Sequence, residues 1–126
     1  MNYFSRIFVL AFLVSGFAFS QVQHKLSTVN SIQYDGVNLT VGSRIGGGCQ
    51  KHHVEFEIEL QSSDNKVTAN VTAFDVSPEE DFCEAIVFTS GSINLKQAIA
   101  ELLEEKGLRA WAVSVNLPQL EIYPQD

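Results

Sequence analysis

Val54-Glu55-Phe56-Glu57-Ile58-Glu59-Leu60 is followed, after Gln61-Ser62-Ser63-Asp64-Asn65-Lys66, by Val67-Thr68-Ala69-Asn70-Val71-Thr72-Ala73-Phe74. Both segments alternate apolar and polar side chains with a period of two, the pattern of a strand with one face in a core and the other in water. The first puts Val54, Phe56, Ile58 and Leu60 on one side and three glutamates on the other; the second sets Val67, Ala69, Val71 and Ala73 against Thr68, Asn70 and Thr72. The connection Ser62-Ser63-Asp64-Asn65 is rich in turn formers, so the two read as an antiparallel hairpin. With Gln61 facing Lys66, Leu60 meets Val67, Ile58 meets Ala69, Phe56 meets Val71 and Val54 meets Ala73. Glu59, Glu57 and Glu55 then face Thr68, Asn70 and Thr72. A slip of one residue would turn the glutamates into the core, so the choice of face is strongly specified.

Working outward, Asp35-Gly36 is a type I′ turn signal between Ile32-Gln33-Tyr34 and Val37-Asn38-Leu39-Thr40-Val41, and predicts a second hairpin. The apolar run Ala85 to Thr89 reads as a short buried strand. The period then changes: Leu95, Ile99, Leu102 and Leu103 recur at helical spacing, Asn94 with Gln97 resembles a capping pair, and Gly107 follows Lys106 as a stop signal. This predicts one amphipathic helix of about three turns, with Glu101, Glu104 and Glu105 on its wet side. Trp111, Val113, Val115 and Leu117 alternate with Ala112, Ser114 and Asn116 as a last strand, ended by Pro118. The fold class is mainly β (α+β), an antiparallel sheet or sandwich with one amphipathic helix near the C-terminus.

Met1 to Ser20 reads differently. Arg6, the apolar run Ile7–Val14 and the small residues at Ala18 and Ser20 form the pattern of a secretory signal peptide, too short to span a bilayer. Its removal leaves a single β-rich domain, residues 21–126, of about 106 residues, enough for one core. The residue directly after the cleavage point is Gln21 rather than cysteine, so no bacterial lipid anchor is expected, and the chain is expected to be exported as a soluble periplasmic or secreted protein. The formal charge of −7 becomes one unit more negative once Arg6 leaves. An acidic surface excludes nucleic acid and anionic membrane as expected partners, since both need a basic footprint.

Cys49 and Cys83 are the only cysteines. In an oxidising compartment they read as one disulfide, worth roughly 3–4 kcal/mol on the chain-entropy model; the alternative is two thiolate ligands of a metal. Gly46-Gly47-Gly48 ahead of Cys49 allows a sharp bend. A phosphate cradle would need such glycines to open a helix, whereas here they lead into a strand. His52 and His53 are adjacent and point to opposite faces of a strand. His53 shares a face with Glu55, and the two can converge on copper or zinc if another loop, or His24, supplies a further donor. The row Glu55, Glu57 and Glu59 can alternatively receive a basic partner, or simply be solvated. Glu79, Glu80, Asp81 and Glu84 around Cys83 read as a wet acidic turn after Ser77-Pro78, although paired carboxylates can run hydrolysis. No Gly-x-Ser-x-Gly elbow and no His-Glu-x-x-His helix is present, so an enzyme is not expected. Asn38-Leu39-Thr40 and Asn70-Val71-Thr72 match the N-glycosylation tripeptide.

Gly46-Gly47-Gly48-Cys49 with His52, and Asp81-Phe82-Cys83-Glu84-Ala85 further on, resemble the two motifs of a family of small exported bacterial proteins and lipoproteins. The resemblance covers about Gly46 to Leu95. It implies that Cys49 and Cys83 act together and that His52, three residues after Cys49, belongs with them. The hairpin register places His52 on the side of Val54, where a half-buried histidine bonded to nearby backbone is expected. The expected function is an exported binding or interaction module of unknown ligand. The alternative is a copper or zinc protein using His52 or His53 with Glu55.

Overall fold

A computed structural model describes residues 8–10, 21–64, 66–109 and 112–120. In chain order the elements are β1 (Phe8–Leu10), β2 (Val22–Lys25), β3 (Thr28–Val29), β4 (Ser31–Tyr34), β5 (Asn38–Gly47), β6 (His53–Ser63), β7 (Lys66–Ser77), β8 (Ala85–Asn94), α1 (Leu95–Lys106), β9 (Val113–Asn116) and β10 (Gln119–Leu120). Most of the predicted signal peptide, Asn65 and Trp111 lie outside the described residues; within that leader only Phe8–Leu10 is described, antiparallel to Glu57–Glu59 of β6.

The β6–β7 hairpin forms with the expected faces but in a register two residues away from the expected one. Ser63 faces Lys66, so Leu60 meets Ala69, Ile58 meets Val71, Phe56 meets Ala73 and Val54 meets Asp75. Glu59, Glu57 and Glu55 face Asn70, Thr72 and Phe74. The cause is a tighter turn: Asp64 adopts φ +47°, which Asp tolerates, and closes the chain in two residues rather than four. Because side chains repeat every two residues, a shift of two leaves every face unchanged.

The Asp35-Gly36 signal also forms a hairpin, one residue further along than expected. Tyr34 pairs with Leu39, so Gly36 and Val37 form the tip, and Gly36 takes the positive φ of +92°. Asp35 Oδ1 accepts the N–H groups of Asn38 at 2.7 Å and Val37 at 2.8 Å, which holds its carboxyl below the usual carboxylate range.

β1, β6, β7 and β2 form one sheet, with β9 on the same edge of β7 as β2 but at the other end of the strand. β4, β5 and β8 form a second sheet. The strands are antiparallel except that β9 runs parallel to β7 and β10 parallel to β3, two pairings that alternation cannot announce. The two sheets turn their apolar faces to each other in a sandwich-like arrangement. Val54, Phe56, Ile58, Leu60, Val67, Ala69, Val71 and Ala73 from the first meet Leu39 and Val41 from the second, closed by Leu95, Ile99 and Leu102 of α1. Gly91 permits a close approach between the sheets, because a Cβ there would run into the carbonyl oxygen of Val54.

The helix starts and stops where expected. Asn94 caps it by accepting from Gln97 N–H at 3.0 Å, and Gly107 ends it at φ +64° with Leu108 N–H bonded back to Leu103.

The region after Cys83 departs from expectation. Ala85–Thr89 is not a buried strand but the first half of β8, a ten-residue edge strand on which Ile86 is 79% and Phe88 62% exposed. A short apolar run shows no period that would separate a buried strand from one laid at an edge.

Candidate functional site

Cys49 and Cys83 are disulfide-bonded, with Cα atoms 5.8 Å apart, and pin the bend after β5 to the loop before β8. Gly48 turns with φ +113°, and the N–H groups that follow point to a common centre. Asp81 fills that centre. Its Oδ2 accepts from Gly48 at 3.0 Å, Cys49 at 3.2 Å and Gln50 at 3.0 Å, and its Oδ1 accepts from Cys83 at 3.1 Å. A Cβ on Gly47 would come within 2.6 Å of Asp81 Oδ2 and 2.9 Å of His52 Nε2, so this glycine leaves the space that the two side chains use.

His52 lies between two carboxylates. Its Nε2 is 2.6 Å from Asp81 Oδ2 and its Nδ1 3.0 Å from Asp75 Oδ1, with all three side chains between 3% and 7% exposed. Carboxylates only accept, so both bonds exist together only when both ring nitrogens carry a proton, that is, in the imidazolium form. Burial alone pushes the imidazole pKa down, but the hydrogen bonds to Asp81 and Asp75, with the charges of both, outweigh it and hold the pKa above the ordinary value. The Asp81 carboxyl is held well below its usual range by the His52 bond first, against the opposing effect of burial, and then by the N–H groups of Gln50, Cys83 and Cys49.

His52 is therefore on the side of Val54 as expected, but its partners are acids rather than backbone. The expectation of a wet acidic turn holds for Glu79, Glu80 and Glu84, which are exposed, and fails for Asp81, which the bend needs as a counter-charge. Asp75 is the residue that sequence reasoning misses. Its signal is present: it continues the inward phase of Val71 and Ala73, where a carboxylate requires a buried partner.

His53 and Glu55 share the outer face of β6, with His53 Nε2 2.7 Å from Glu55 Oε1 and side chains 47% and 18% exposed. Glu55 Oε2 is buried without a hydrogen-bond partner. His24 pairs with Glu80 at 3.2 Å. His52 is thus engaged apart from His53 and Glu55. Glu57 and Glu59 continue the row on the same face, half-buried rather than free in solvent. Among the described residues the one convergence of three metal-ligating side chains is Cys49, Asp81 and Cys83, and the disulfide withdraws both thiolates from it.

The outer face of the β4–β5–β8 sheet has a different character. It presents Ser31, Gln33, Asn38, Thr40, Ser90, Ser92 and Asn94, with Arg44 the only charged side chain among the described residues of these strands, and carries the exposed Ile86 and Phe88. Phe88 lies across Gly42, where a Cβ would strike its ring, and Ile86 pairs with Gly46, beside which there is open space. Phe82, 88% exposed, precedes the strand. At the far end an open depression of about 380 Å³ is lined by Gln33, Tyr34, Asp35, Asn38 and Thr40.

No family model, curated protein or solved structure matches the chain.

Proposed function

We propose that the protein is an exported binding module whose contact surface is the outer face of the β4–β5–β8 sheet, centred on Phe82, Ile86 and Phe88, and that it is not an enzyme. The observation that carries this reading is the exposure of these three residues at 88%, 79% and 62%. At ~200 Å² per side chain they expose on the order of 400 Å² of apolar surface, about the size of the largest apolar patch on a typical soluble protein, which is often functional. The disulfide and the Asp81 bend fix the start of this strand, so the surface is presented rigidly. The disulfide is compatible with export, and among the described residues no helix is long and apolar enough to cross a membrane.

A photo-activated cross-linking residue at position 86, compared with one at Glu104 on the exposed side of α1, tests the reading in the producing cell. A defined adduct from position 86, identified by its peptides and missing from position 104, is the expected result. Equal labelling at both positions, or none at 86, removes it.

A second reading rests on the orphaned Glu55 Oε2 beside His53. These residues offer nitrogen and oxygen donors suited to copper or zinc. Bound metal would stabilise the folded state by mass action, raising Tm in proportion to the logarithm of free ion. A thermal midpoint that ignores both ions and chelator sinks this reading.

A further inference from the structure

The contact proposed above is centred on the start of β8. The opposite end of the same sheet face has a chemistry of its own. β4, β5 and β8 hold one charged side chain, Arg44, in a chain that is 18% charged. Solvation alone does not ask for this: β6 turns Glu55, Glu57 and Glu59 to its own outer face, whereas here that role falls to amides and hydroxyls. The register sets them in rows, with Ser31 and Ser90 flanking Gly42, then Gln33, Thr40 and Ser92, then Asn38 and Asn94. Thr40 and Ser92 are hydrogen-bonded to each other at 2.8 Å. The rows end in the open depression of about 380 Å³ lined by Gln33, Tyr34, Asp35, Asn38 and Thr40.

We infer that this depression is a subsite for an uncharged sugar, and that a glycan chain entering it runs along the rows towards Phe88. Its volume falls within the range of small-ligand sites, about 300–1,000 Å³. The five side chains decide the class of ligand. Two carboxamides and a carboxylate are planar groups able to engage adjacent hydroxyls; the amides donate and accept, and Asp35 accepts. Tyr34, partly buried against the core, supplies an aromatic wall for the C–H face that a sugar ring carries beside its hydroxyls. None of the five is a cation, and a carboxylate in a chain of formal charge −7 repels phosphate, sulfate and uronate groups. A metal ion would need several oxygen ligands, and Asp35 Oδ1 already accepts the N–H groups of Val37 and Asn38. An apolar molecule would strip water from four polar side chains and return no hydrogen bond. The site is also preformed. Asp35 N–H bonds Asn38 O across the hairpin tip at 3.3 Å, and Lys96 N–H at the start of α1 bonds Val37 O at 3.2 Å, so binding has little backbone left to order. Because the depression is open, one sugar is held weakly and a chain that touches successive rows is held better. Phe88, lying across Gly42, gives such a chain a second ring to stack on.

Binding of the exported, oxidised protein to immobilised neutral polysaccharides tests this, the probes being a glucan, a mannan, a galactan and chitin, with alginate as the anionic counterpart. Retention on at least one neutral polymer, competed by its own oligosaccharide, is expected. That oligosaccharide is expected to shift the side-chain amide signals of Gln33 and Asn38 in amide-correlation NMR spectra. Gln33→Ala and Asn38→Ala, both at exposed positions, are expected to melt as the wild type does and, combined, to lower affinity at least tenfold, whereas Glu104→Ala on α1 retains it. Retention on none of the neutral polymers, retention on alginate alone, or unchanged affinity in Q33A/N38A overturns the inference. The sugar site does not depend on the contact around Phe82 and Ile86: an adduct at position 86 from a protein that binds no polysaccharide keeps that reading and removes this one, and polysaccharide retention without an adduct does the reverse.

Discussion

At the scale of single residues, the Asp75–His52–Asp81 chain decides how the protein responds to pH. His52 has a raised pKa in the folded state, so the stability it contributes is complete below its unfolded value of about 6.5 and is lost as pH rises through the folded value. Asp81 acts in the opposite sense. Its folded pKa is depressed, so its contribution is present above about 4 and is lost as pH falls below that. The urea midpoint is therefore expected to be highest between about pH 4 and 6.5 and to decline on the alkaline side. His52→Gln is expected to lower the midpoint at pH 6 and to remove that alkaline decline. A wild-type midpoint that rises from pH 6 to 8, or a variant with an unchanged slope, contradicts the doubly bonded imidazolium. Half of this site is legible in the sequence. The motif resemblance points to His52 with the two cysteines, and alternation places it on the Val54 side. Asp81 is hidden among neighbouring acids because nothing in sequence tells a solvated carboxylate from one that collects N–H groups from a bend about thirty residues away. Asp75 is hidden when the hairpin's inward phase is taken to end at Ala73.

At the scale of elements, the faces of β6 and β7 follow from alternation alone, and the helix from its period and caps. What alternation leaves open is sliding by even steps, and there the turn takes the tighter solution at Asp64. Likewise the run Ala85–Thr89 specifies a strand but not its exposure, because burial depends on which sheet edge it joins. Parallel addition of β9 to β7 depends on the path of the chain after α1, which no local pattern encodes. At Gly91 the two sheets meet backbone against backbone. Gly91→Ala must push β8 away from Val54, since a carbonyl cannot move aside as a flexible side chain does. The expected cost is about 1–3 kcal/mol, the range of an overpacked core. Gly46→Ala, which meets nothing within 4 Å, is the matched control and is expected to change stability by less than about 0.5 kcal/mol. Equal urea midpoints for the two variants would show that the sheets are not in contact at this corner.

At the scale of the whole molecule, the fold separates what holds it together from what it presents. The core, the disulfide and the buried acids lie inside or at the closed end of the sandwich, while Phe82, Ile86 and Phe88 contribute little to packing. Substitutions should divide accordingly. Replacing both Cys49 and Cys83 by serine removes the cross-link that closes the bend around Asp81, with an expected loss of about 2–5 kcal/mol. Ile58→Ala in the centre of the core is expected to cost about 2–5 kcal/mol. Phe82→Ser, by contrast, removes an apolar side chain that is 88% exposed, and is expected to leave stability within about 0.5 kcal/mol while improving solubility. Chemical denaturation of these three variants in parallel separates the residues that hold the fold from those it presents. If Phe82→Ser lost as much stability as Ile58→Ala, Phe82 would belong to the core, and the exposed surface proposed for binding would shrink to β8 alone.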